Sequence, residues 1–261
     1  MRERGGFRHR LELWFGRLNL KRADLVLACS HRIACLEAGY YKVHPDRFSV
    51  LFHAFDREAD PGFLIRAGDH HDGYFLVVGN VEYLKGFDLI AEAFYRYRKN
   101  GGTCKLFVAG TTGFDDPNPQ VQKLLKSQGV QRVLDEFGMD TINFLGKISK
   151  LELAHVRAKA TAVLIGSRFE AFTMVAGEAF LCGCPVLISD RTGWVDLVER
   201  YQAAKLFSPY DPEELANAML EMEDSNIRRM YASRSLLLAE FLCSEELAQK
   251  TVKTYISLLE I

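Results

Sequence analysis

Between Tyr74 and Phe207 the chain alternates short, unbroken apolar runs with longer segments whose apolar positions recur every three to four residues. The runs are YFLVVG (74–79), KLFVAG (105–110), INFLG (142–146), TAVLIG (161–166), PVLIS (185–189) and AAKLF (203–207). Lacking polar alternation, they suit strands covered on both faces, as in a parallel sheet. The segment FDLIAEAFYRY (87–97) places Leu89, Ile90, Ala93, Phe94 and Tyr97 on one helical stripe. Residues 119–137 and 151–160 are each expected to form one helix. Strand and helix in repeated alternation predict an α/β domain with a doubly wound parallel sheet over residues 67–225.

The flanks differ. Phe7, Leu11, Trp14, Phe15 and Leu18 recur at helical spacing among arginines. ADLVLACSHRIACLEAGY (23–40) then predicts a short strand and a helix capped by Ser30. FSVLFHAFD (48–56) predicts a further strand and turn, and residues 57–73 a connector. So few elements cannot enclose a core of their own, so residues 1–66 are expected to be part of a larger domain. Residues 226–261 carry two more helical patterns, about 226–241 and 244–260.

The net charge of −1 lacks the basic excess of nucleic-acid binders, so no nucleic-acid partner is expected. No apolar run approaches the roughly 18 residues that span a bilayer. The first residues, MRERGGFRHR, lack the apolar core of a secretory signal. The six cysteines show no CxxC pair, and Cys182 and Cys184 are read as reduced core thiols rather than a metal or disulfide pair. The expected location is the cytoplasm. The basic N-terminal helix has two readings: a face buried against the rest of its domain, which is preferred, or peripheral contact with an anionic membrane. Asp69, His70, His71 and Asp72 are read as a solvated linker rather than a metal site, because four adjacent residues seldom point at one ion.

The richest chemistry lies in SRFEAFTMVAGEAFLCGCPVLISD (167–190). Glu170 and Glu178 flank a predicted helix start at the carboxyl end of the run 161–166. In an open α/β sheet that edge is where ligands bind, and free N–H groups at a helix start favour an anion. The helix start is expected to offer the backbone N–H groups of Phe172, Thr173 and Met174.

These residues resemble the retaining glycosyltransferases of family 4, which have the GT-B fold of two Rossmann-like domains. VVGNVEYLKGFDLIAEAF (77–94) is similar to that family's "GRLxxxKGxDxLIxAF", and Gly146, Lys147 and Ile148 to its "FLGxV" turn. LKRADLVLACS (20–30) and HPDRFSVLFHAFD (44–56) resemble the end of the family's acceptor domain. The resemblance implies a donor domain preceded by the tail of an acceptor domain and followed by C-terminal helices that pack back toward the cleft. It makes Glu170 a contact to the transferred sugar and Lys85 the cation on the donor diphosphate, these two being the catalytic pair. Glu178 becomes the ribose carboxylate, and Asn80, Phe172, Thr173, Met174, Gly146, Lys147 and Ile148 further donor contacts. The chain departs from the pattern in several places: Ala171 replaces one of its glycines, and His53-Ala54 stands where it has Asn-Gly. Asn80 stands where the family has arginine and brings no charge. Thr173 replaces a glycine, where a positive φ would strain a β-branched residue.

The implied function is retaining transfer of a hexose from a UDP- or GDP-sugar, with no metal and no cofactor. The rest of the acceptor domain would come from a separate subunit or from a second copy in a homodimer. A non-catalytic sugar-nucleotide-binding or partner subunit is the alternative, and a GT-B epimerase or phosphorylase a third reading.

Overall fold

The computed structural model describes residues 6–57, 61–67, 72–110 and 118–259. Asp69, His70 and His71 of the expected linker lie outside the described residues; Asp72 is exposed beside Lys159. The chain divides into two compact units, Met1–Ala54 together with Ser244–Ile261, and Phe55–Cys243.

In the first unit, α1 (Phe7–Arg22) leads into β1 (Val26–Ala28), α2 (His31–Tyr41) and β2 (Phe48–Val50). β1 and β2 pair in parallel, Val26 opposite Phe48. Ser30 caps α2 as expected, its Oγ accepting from the Ile33 N–H at 3.1 Å. Arg47 closes α1 from a distance, its Nη2 donating to the Leu20 carbonyl at 2.9 Å, one of the carbonyls a helix end leaves without an internal partner. The side chains of Trp14 and Phe15 are more than half exposed; that of Phe7 lies outside the described residues. The C-terminal helix Glu245–Leu259 completes this unit.

The second unit opens with α3 (Pro61–Leu64) and then runs β3 (Tyr74–Val78), α4 (Phe87–Lys99), β4 (Lys105–Ala109), α5 (Pro119–Leu125), α6 (Gln128–Phe137), β5 (Ile142–Gly146) and α7 (Lys150–Ala158). It continues with β6 (Ala162–Ile165), α8 (Met174–Cys182), β7 (Val186–Ser189), α9 (Val195–Tyr201), β8 (Lys205–Phe207), α10 (Pro212–Glu221) and α11 (Ser225–Leu242). Every expected apolar run between 74 and 207 is a strand, all parallel, in the order β5-β4-β3-β6-β7-β8. The chain starts in the middle, winds outward through β4 and β5, crosses back, and winds out the other way through β7 and β8. Crossovers are right-handed, so the two directions of winding place helices on opposite faces. α4 packs with α6 and α10, and α8 with α7 and α11. Phe75, Leu106, Val108, Ala162 and Leu187 are fully buried between them, and every residue of the expected stripe of α4 is buried.

One expected helix is two. Residues 119–137 break at Ser127, which is extended (ψ 154°) and starts α6. The break lets Gly129 lie against the backbone of α4, where a Cβ would come within 3.0 Å of the Glu92 nitrogen. None of the six cysteines is in a disulfide, and Cys182 and Cys184 are buried in the core. Burial pushes the Cys184 thiol well above its ordinary value. Among the described residues no helix is long and apolar enough to cross a membrane.

Candidate functional site

The winding reverses between β3 and β6, and the loops that leave their carboxyl ends part company there. Between them lies a cleft of about 130 Å³. Val77, Val78, Gly79, Asn80, Lys85 and Phe87 line it from the β3–α4 connection. Leu164, Ile165, Gly166 and Ser167 line it from β6, and Thr173 and Val175 from the start of α8.

Two helix N-termini therefore meet at this cleft. α4 starts after Gly86, whose φ of 72° and closeness to β6 both demand glycine. A Cβ there would sit 2.0 Å from the Gly166 carbonyl oxygen. α8 starts after Thr173, whose side chain makes no capping hydrogen bond. The partial positive charge of both helix starts faces a concave, partly apolar site. Thr173 has φ −73° and ψ 128°. This corrects the expectation of a strained positive φ: the loop is extended here, and a β-branched residue fits it without cost.

Lys85 and Glu170 pair directly through Nζ and Oε2. The pair joins the β3–α4 loop to the β6–α8 loop. Glu170 is also fixed through its backbone, its N–H donating to the Arg191 carbonyl at 3.2 Å and its carbonyl accepting from the Gly193 N–H at 2.9 Å. Asn80 is exposed, with Nδ2 3.4 Å from Glu82 Oε1.

Three residues that sequence reasoning passed over hold this arrangement together. Trp194 is fully buried, stacks on Phe172 at 3.9 Å between ring centres, and donates its indole N–H to the Thr173 carbonyl at 2.9 Å. The Phe172 side chain thus supports the loop from beneath. Arg168 donates from Nη1 and Nη2 to the two carboxylate oxygens of Asp88, both at 2.8 Å, and lies 3.9 Å over the Tyr83 ring. Burial works against its charge, but Asp88 more than offsets that and holds the guanidinium protonated. Arg157, on α7, pairs with Glu178 at 2.7 Å.

The remaining expected residues lie around the cleft rather than in its lining. Met174 is half exposed at the first position of α8. Glu178 shares a helix face with Val175, one turn farther along α8. Gly146, Lys147 and Ile148 sit at the carboxyl end of β5, the outermost strand on its side, where Gly146 turns the chain at φ 65°. The structure does not bring these three residues into the cleft. Among the described residues no three His, Cys, Asp or Glu side chains come together as metal ligands.

The sequence profile of the glycosyl transferases group 1 matches residues 66–235. The chain is 30% identical over 188 residues to a D-inositol 3-phosphate glycosyltransferase of Frankia alni, an alignment covering 69% of this chain and 45% of that protein. It is 25% identical over 236 residues to the glycogen synthase of Mycobacterium tuberculosis, covering 89% of this chain and 53% of that one. The chain thus spans about half the length of the curated relatives it matches. Among solved structures it resembles a sucrose-phosphate synthase from Thermosynechococcus elongatus, with TM-score 0.75 and 21% identity over 100% of this chain and 64% of that one. It also resembles the Anabaena protein HepE in complex with UDP-glucose, with TM-score 0.75 and 20% identity over 95% of this chain and 68% of that one. The profile covers well over half of the residues, and the chain belongs to the glycosyl transferases group 1.

Proposed function

We propose that the second unit binds the nucleoside diphosphate of a hexose donor and that the protein transfers the hexose with retention of configuration. The observation that carries this reading is the meeting of two helix N-termini with Lys85 and Glu170 at the switch point of the sheet. The diphosphate lies at the starts of α4 and α8 beside Lys85. Glu170 accepts from hydroxyls of the sugar, and Glu178 from the ribose. As the bond between the anomeric carbon and the phosphate oxygen breaks, charge grows on that oxygen, and fixed N–H groups and Lys85 stabilise it. The acceptor oxygen bonds to the anomeric carbon on the face the phosphate leaves, and its proton passes to the departing phosphate. HepE, whose fold this chain shares, was solved with UDP-glucose, which favours a UDP-linked donor over a GDP-linked one. No metal is needed in this scheme. The reading places the protein in the cytoplasm with its cysteines reduced.

Calorimetry with UDP and GDP in the presence of a chelator tests it. Binding that appears only on adding a divalent metal, or no binding at all, refutes the proposed site. A second reading, a sugar-nucleotide-binding subunit without transfer, is favoured by the neutral Asn80 at the cleft. Incubating the chain with UDP- and GDP-sugars and a panel of acceptors separates the two. The expected outcome for the chain alone is slow donor hydrolysis. Acceptor-dependent turnover near about 1 per second, the low end of typical enzymes, would show a complete acceptor site.

A further inference from the structure

Arg157 poses a problem that folding does not answer. Its side chain is only 3% exposed, yet among the described residues it makes one hydrogen bond, from Nη2 to Glu178 Oε2 at 2.7 Å. Its Nε and Nη1 are buried without a hydrogen-bond partner among the described residues. A guanidinium taken out of water with so few partners is a net cost, and an apolar side chain of like size generally serves a core as well or better. The neighbourhood is apolar: Ala176, Gly177, Ala179 and Phe180 on α8 are all buried. Glu178 is the only ionisable side chain on that helix apart from the thiol of Cys182. It is partly exposed, on the face that carries Val175 into the cleft lining.

We infer that Arg157 is a positioning residue: it holds the Glu178 carboxylate in one orientation, so that the carboxylate accepts hydroxyls of the ligand's ribose. The inference rests on the assignment of Glu178 proposed above. A glutamate side chain on a helix surface turns about three bonds. A short charge-assisted contact to a buried, immobile guanidinium removes most of that freedom before the ligand arrives. Occupying Oε2 does not exhaust the group, because an ionised carboxylate offers about four acceptor positions. The rigid planar fork supplies the orientation, and the flexible ammonium of lysine does not reproduce it.

The experiment titrates the full chain with UDP and with 2′-deoxy-UDP and 3′-deoxy-UDP, comparing wild type with Glu178→Gln, Arg157→Met and Arg157→Lys by calorimetry. Wild type is expected to prefer UDP by about tenfold or more, the fold-change for a hydroxyl donated to a charged acceptor. Glu178→Gln and Arg157→Met should each bring that ratio near unity by weakening UDP more than either deoxy ligand. Arg157→Lys should retain about a threefold preference. A loss of packing alone weakens all the ligands alike and leaves the ratio intact. An unchanged ratio in Arg157→Met, with Glu178→Gln abolishing it, overturns the positioning role and leaves Glu178 as the ribose carboxylate. An unchanged ratio in Glu178→Gln overturns that assignment and the inference with it. Should Arg157→Met not fold, Arg157→Lys decides, and a full wild-type ratio there overturns the role.

Discussion

Replacing Arg168 by lysine isolates the element that joins the two loops of the cleft. Arg168 makes two charge-assisted hydrogen bonds to Asp88, one to the Tyr83 carbonyl, and covers the Tyr83 ring. Its side chain is 12% exposed and that of Asp88 29%, so screening trims these contacts without removing them. A hydrogen bond to a charged group contributes about 1.5–3 kcal/mol, and a partly exposed cation over an aromatic ring about 0.5–1 kcal/mol. Lysine keeps the charge and one contact but forfeits the fork and the stacking, a loss of about 2 kcal/mol. For a unit the size of residues 55–243 that lowers Tm by about 4–8 °C. The loop from Tyr83 to Lys85 is then ordered only when ligand binds. Fixing even one residue costs about 1–2 kcal/mol. UDP affinity should therefore fall about five- to thirtyfold. Differential scanning calorimetry and isothermal titration measure the two effects on the same preparation. A Tm within about 1 °C of wild type together with unchanged UDP affinity would refute the argument that this clamp orders the loop.

Gly86→Ala places a Cβ 2.0 Å from the Gly166 oxygen at a φ of 72°, and should cost about 3 kcal/mol or more; urea unfolding checks this, and a wild-type midpoint would show that the β3–α4 turn can move off β6. Asn80→Arg adds a cation at the cleft and should tighten UDP binding about fivefold; unchanged affinity in a titration would mean that the new side chain pairs with Glu82 instead. The Glu223 carboxylate is raised by burial but lowered further by hydrogen bonds from Tyr97, Thr103 and Cys104, leaving it below its ordinary value of 4.5. A depressed folded-state value means that its contribution is present above that ordinary value and lost as pH falls through the lower one. Glu223→Gln should therefore lower stability at pH 7 and narrow the difference in urea midpoint between pH 7 and pH 3, whereas an unaltered pH profile would count against the Tyr97–Glu223 contact.

The sheet was legible because its strands are buried on both sides. A strand that touches water on neither face has no polar alternation, so runs such as YFLVVG and TAVLIG stand out. Turning those runs into a switch-point cleft then followed from winding rules and from glutamates and glycines close to one another in sequence. The parts that escaped are set by contacts between distant segments. The break at Ser127 answers to the backbone of α4 under Gly129, and nothing within 119–137 announces it. Arg157 and Glu178 meet because α7 packs on α8, and Arg168 finds Asp88 because β3 and β6 are neighbours in the middle of the sheet. In sequence each arginine looks like any solvated helix or loop residue. The concern over Thr173 failed for another reason: it carried a glycine's backbone conformation over to a chain whose loop is extended there.

The make-up of the first unit bears on the order in which the protein is born. Residues 1–54 are translated before the whole of residues 55–243, and their partner segment 244–261 after it. The parallel sheet is contiguous in sequence and can form while translation continues, since domains fold as units. The β1–β2 pair and the helices beside it must wait until the helix Glu245–Leu259 arrives to complete their unit. That interval is when a nascent-chain chaperone has most to bind. A ribosome stalled once residue 243 has emerged should therefore carry a completed sheet and an unfinished first unit, sensitive to protease when residues 55–243 are not.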